Sequence, residues 1–110
     1  MDEAMAKRLD EIERAIKEGD DLTAEKALLT EIRFRETRLR SGREYHPPYL
    51  EYEKLAKIYR KRKAYDDEVG ILKQLFKAKK HVGLPSGRFG ERLRRAIALQ
   101  AKSKGVDVAL

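Results

Sequence analysis

Tyr52–Phe76, read as YEKLAKIYRKRKAYDDEVGILKQLF, holds two apolar patterns that are out of phase. Tyr52, Leu55, Ala56 and Tyr59 form the first set; Tyr65, Val69, Leu72, Leu75 and Phe76 form the second. Each follows the three-and-four spacing of one helical face. A helix turns about 100° per residue, so the step from Tyr59 to Tyr65 leaves the second set about 120° from the first. A single heptad continued from Tyr59 meets Arg62, Asp66 and Lys73, all charged. The pattern therefore predicts two helices with a tight turn at 62–65, folded back as an antiparallel hairpin. Charge placement agrees. Glu51 and Glu53 open the first helix and Arg60 to Lys63 close it. Asp66, Asp67 and Glu68 open the second, and Lys77, Lys79 and Lys80 close it, as the helix dipole favours.

Outward toward the N-terminus, Met5, Leu9, Ile12 and Ile16 make a narrow stripe on a helix over 3–18, stopped by Gly19-Asp20-Asp21. A helix over 22–40 follows, with Leu22, Ala27, Leu28, Leu29 and Ile32 expected inward and Ser41-Gly42 as its stop. Asp10 to Arg14, Glu13 to Lys17, Glu31 to Arg35 and Glu36 to Arg40 are expected to pair at i, i+4. Tyr45-His46-Pro47-Pro48 reads as rigid and extended, with Pro48 suited to the first position of the third helix. Toward the C-terminus, 81–85 reads as a turn and Ser86 as a cap. A fifth helix over 87–102 would bury Phe89, Leu93, Ala96, Ile97 and Leu99 and wet Arg88, Arg92, Arg95 and Lys102. The tail 103–110 is expected to fray.

A shift of 43 residues lays Leu9 on Tyr52, Ile12 on Leu55, Ile16 on Tyr59, Leu22 on Tyr65, Leu29 on Leu72 and Ile32 on Leu75. It also sets Glu25 on Glu68, and it reads as a degenerate internal duplication. The spacing Tyr52-x2-Leu55-Ala56-x2-Tyr59 resembles the tetratricopeptide repeat, with one good copy at 48–80 and a degenerate one at 5–37. Glu68 stands where that family carries a small residue, and Lys80 where a proline usually closes the repeat. The resemblance implies an all-α protein of about five helices in a single domain, 1–110. Hairpins 3–40 and 48–80 and a capping helix at 87–102 would stack as a short right-handed superhelix. It further implies a non-catalytic protein–protein interaction module, an adaptor or scaffold. By motif position Lys57, Arg60 and Lys61, with Arg14 and Lys17 of the first copy, would face a groove and take an acidic peptide or partner protein.

The 110 residues suffice for one core. No cysteine is present, so disulfide and thiolate chemistry are excluded. The opening MDEAMAKRLDEIERAIKEGD is charged from its second residue and holds no apolar run, which argues against a secretory signal or a membrane span. A cytoplasmic protein is expected. The net charge of +7 is unevenly spread: residues 1–53 carry 10 basic and 14 acidic residues, residues 54–110 carry 16 and 5. That split permits head-to-tail self-association, a homodimer included, and favours acidic partners. The alternative to peptide binding is nucleic acid, tracked by Arg62, Lys63, Lys77, Lys80, Arg92 and Arg95, with Tyr45 or Tyr49 to stack. No nucleic-acid reader motif accompanies these residues.

Catalysis has little to rest on, and no cofactor or metal is expected. His46 and His81 both sit beside turns, and no HExxH spacing exists. Asp20-Asp21 and Asp66-Asp67 read as helix-start charges rather than paired acid–base carboxylates. The glycines at 83, 87 and 90 lack the Gly-Lys-Ser/Thr ending of a phosphate loop. Glu25 and Glu68 could reach a partner's cation or an arginine of the neighbouring hairpin. The cost of an unpaired buried carboxylate favours each lying at the helix edge and pairing locally.

Overall fold

The computed structural model describes residues 3–78 and 87–105. They form α1 (Glu3–Lys17), α2 (Asp21–Arg40), α3 (Tyr49–Lys61), α4 (Tyr65–Ala78) and α5 (Arg88–Ser103), and contain no strand. The protein is all-α, and the chain does fold back between α3 and α4. The expected turn at 81–85, the Ser86 cap and the tail from 106 onward lie outside the described residues.

Each helix packs on the next along the chain. Side chains also join alternate helices. Lys54 of α3 pairs with Glu13 of α1, and Gln74 of α4 donates to the Glu36 carboxylate of α2 at 3.2 Å. Arg60 of α3 donates to the Arg92 carbonyl of α5 at 3.3 Å. Thus α1, α3 and α5 neighbour one another on one side, with α2 and α4 on the other. The molecule measures 48 × 36 × 18 Å, and its short dimension suits two helix layers about 10 Å apart. One core runs between them, from Ile12, Leu28 and Ile32 through Tyr52, Leu55, Leu72 and Leu75 to Phe89 and Ala96. Among the described residues no helix is long and apolar enough to cross a membrane.

The turns reveal the true period. After α1 the amide of Asp20 donates to the Ala15 carbonyl and that of Gly19 to Ile16. After α3 the amide of Ala64 donates to Tyr59 and that of Lys63 to Arg60. Both are helix ends with a left-handed residue just past the last turn, Gly19 at φ 75° and Lys63 at φ 59°. Every one of these positions is offset by 44, not 43. Burial on the second helices agrees: Ala24, Leu28 and Glu31 of α2 correspond to Glu68, Leu72 and Leu75 of α4, all buried. The expected equivalence of Glu25 and Glu68 is therefore corrected. The counterpart of Glu68 is Ala24, the small residue itself, and both are fully buried.

Several smaller expectations change. Ile97 of α5, expected inward, is exposed. Leu22 is 73% exposed, because the core-facing stripe of α2 runs through Ala24, Leu28 and Ile32 and Leu22 falls outside it. Pro48 is the N-cap of α3, one position before the helix. Two of the expected i, i+4 pairs, Glu13 to Lys17 and Glu31 to Arg35, give way to contacts beyond their own helix. Glu31 pairs with Arg8 at 2.6 Å, Glu13 with Lys54, and Arg35 with Glu44 and Glu51 at 3.3 and 3.2 Å.

Candidate functional site

Arg60 and Arg62 leave the end of α3 in different directions. Arg60 meets both oxygens of the Glu68 carboxylate, at 3.1 and 2.7 Å, as well as the Arg92 carbonyl. Glu68 is fully buried, so this one guanidinium ties α3 to α4 and α5 across the core edge. Arg62 donates to Glu25 of α2 at 2.8 Å, and the Tyr59 hydroxyl donates to the other oxygen of that carboxylate at 2.9 Å. Burial, then the neighbouring Glu25, pushes the Tyr59 phenol above its ordinary pKa. Glu25 thus reaches the neighbouring hairpin, and Glu68 lies inside rather than at the helix edge. Both depart from simple local pairing on the surface.

The other cations expected in a groove remain at the surface. Lys57 and Lys61, one turn apart on α3, have side chains 62% and 71% exposed. Arg14 and Lys17 are exposed on α1. Lys57 lies 4.0 Å from Glu53 and Lys61 3.8 Å from Asp21. Exposed pairs of that length contribute about 0–1 kcal/mol and leave the ammonium groups accessible. The α1/α3 side therefore carries four accessible cations, while Arg60 is engaged internally.

The residues considered for nucleic acid do not converge. Lys63 sits at the α3–α4 turn, Lys77 on α4 and Arg95 on α5, all exposed; Arg92 is half-buried rather than wet, and Lys80 lies outside the described residues. Tyr45 is 81% exposed in the α2–α3 loop, whereas Tyr49 packs on Phe89 with ring centroids 5.7 Å apart. Tyr52 and Tyr59 are core. His46 is exposed, His81 is outside the described residues, and no group of acidic or histidine side chains suited to a metal exists among those described.

The aspartate pairs act at helix starts. Asp20 caps α2, accepting from the Thr23 amide at 3.2 Å. Asp66 accepts from Gln100 at 2.6 Å and lies 3.1 Å from Lys104, pinning the end of α5 to the start of α4. Those contacts hold its carboxyl below the usual range.

Sequence reading missed the ion pairs that cross between helices. Arg8–Glu31, Arg35–Glu51 and Arg60–Glu68 each join an arginine on one helix to a buried glutamate on the next. Their only signal is a carboxylate inside an apolar stripe, as at Glu68 between Tyr65 and Val69. Together the folding and the surface define a protein of stacked helical hairpins with charged outer faces. In comparison with known proteins the chain matches no family model, and no curated protein or solved structure is significantly similar to it.

Proposed function

We propose that this is a non-catalytic interaction module of tetratricopeptide-like design, an adaptor that holds an acidic segment of another protein on its α1/α3 side. The carrying observation is that Lys57 and Lys61 stay mostly exposed one helical turn apart, beside exposed Arg14 and Lys17, while Arg60 at the end of α3 and Arg62 just past it are paired internally. Cations at such a rim steer an acidic partner and set its register more than they add affinity. The test is anisotropy of a labelled polyglutamate peptide. Reversing Lys57 and Lys61 to Glu should weaken binding at least about tenfold, with the thermal midpoint nearly unchanged. If the doubly reversed chain unfolds, or binds as well as the parent, the reading fails.

A further inference from the structure

Helix α2 is nearly balanced in charge, with Lys26, Arg33, Arg35, Arg38 and Arg40 against Asp21, Glu25, Glu31 and Glu36. The fold separates the two signs. All four carboxylates are engaged with the rest of the stack: Asp21 faces Lys61, Glu25 meets Arg62, Glu31 meets Arg8, and Glu36 accepts from Gln74. The opposite side of α2 is left with Thr23, Lys26, Thr30, Arg33, Thr37 and Arg40, every one exposed. Their spacing alternates three and four, so they form one stripe along the whole helix. It repeats a hydroxyl and a cation every seven residues and contains no carboxylate. Successive cations stand about 10 Å apart along a stripe roughly 25 Å long, at 1.5 Å per residue.

Beside the stripe lies a flat, less polar border. A shallow groove of about 270 Å³ runs between α1 and α2, lined by Arg8, Glu11, Thr23, Lys26, Ala27 and Thr30. It shares Thr23, Lys26 and Thr30 with the stripe, and Glu11 stands on its α1 wall. Further along the same border Phe34 is 44% exposed, with the guanidinium carbons of Arg8 and Arg38 at 4.6 and 5.8 Å from its ring centre.

From this arrangement we infer that the outer face of α2 binds single-stranded nucleic acid, with phosphates along the stripe and bases over the border. Lysine and arginine at this spacing are what phosphate oxygens accept from, while the Thr30 and Thr37 hydroxyls donate to the Lys26 and Arg33 carbonyls of the same helix at 3.0 Å and only flank the cations. A helix of another protein would need a run of apolar anchors, and α2 exposes only two large apolar side chains, Leu22 and Phe34, twelve residues or about 18 Å apart. Base faces stack on aromatic rings and on guanidinium planes alike, and the Arg8–Phe34–Arg38 group supplies both. A duplex keeps its bases stacked inside and gains nothing from that border. This surface is separate from the α1/α3 side, so the two readings stand or fall independently.

The experiment titrates the full chain against labelled oligouridylate and oligothymidylate of about twelve nucleotides, from about 50 to 300 mM salt. The parent should bind with a steep salt slope. Lys26→Gln, Arg33→Gln and Arg40→Gln combined should weaken binding at least about tenfold and remove roughly 2 from the slope, about 0.7 per phosphate contact. Arg33→Gln alone, at an exposed side chain that donates to the Leu29 carbonyl of its own helix, should remove about 0.7 with little effect on the fold. Phe34→Ala should weaken binding and leave the slope unchanged. The Lys57/Lys61 reversal should alter it little. Absence of binding at the lowest salt, equal binding by the stripe variants, loss through Lys57 and Lys61 instead, or equal affinity for a duplex would each overturn the inference.

Discussion

Glu68 shows how much one side chain can decide. It sits where its counterpart in the first hairpin is Ala24, at a position with no access to water. A carboxylate there is tolerable because Arg60 donates to one of its oxygens and holds its positive charge 2.7 Å from the other, which has no hydrogen-bond partner. Glu68→Ala leaves Arg60 half-buried without its partner and should cost about 3 kcal/mol in denaturant unfolding. A loss under about 0.5 kcal/mol would mean the pair is solvated after all. Tyr59 gives a pH test. Its folded pKa is raised by burial and by the Glu25 contact, above the usual value of 10.0. The stability it brings is therefore complete below about 10 and is lost as pH climbs through the folded value. Stability measured from pH 8 upward should fall less steeply in Tyr59→Phe than in the parent, and equal slopes would remove Tyr59 from the account. Neither pair was legible in advance. Residues eight or more positions apart meet only once helices have packed, and a glutamate beside apolar neighbours reads equally well as a surface residue.

Helix positions were far more legible, because caps and stops are written locally. Asp20, the Gly19 and Gly42 stops, and the out-of-phase apolar sets at Tyr59 and Tyr65 place α1, α2, α3 and α4 to within one residue at most ends. The repeat offset was harder. α1 and α3 match best at 43 by apolar type, yet the hydrogen bonds of both turns match at 44. α1 buries only Ile12 and Ala15, so its apolar stripe tolerates a one-residue drift that a turn cannot. The same comparison exposes a strained turn. Gly19, Gly42 and Gly105 hold the left-handed position after α1, α2 and α5, while Lys63 holds it after α3 with a side chain attached. Lys63→Gly should relieve that strain and stabilise the hairpin by about 1 kcal/mol, measured by thermal or chemical unfolding. A loss of stability would show that the Lys63 side chain makes a contact worth more than the strain.

At the scale of the whole molecule, packing is mainly between helices adjacent in sequence. A stack of this kind loosens from its ends. Hydrogen exchange should therefore protect α3 and α4 most, where Tyr52, Leu55, Leu72 and Leu75 are fully buried, and α1 and α5 least. Uniform protection across all five helices would indicate a single cooperative unit instead. The three buried glutamates add a sense of direction. Glu31, Glu51 and Glu68 each lie on the helix that follows their arginine: Arg8 on α1, Arg35 on α2, Arg60 on α3. During synthesis the cation is thus always made before the anion it will neutralise. Each nascent helix emerges from the ribosome to find its counter-charge already waiting on the surface just built, and no carboxylate has to be hidden before something exists to receive it.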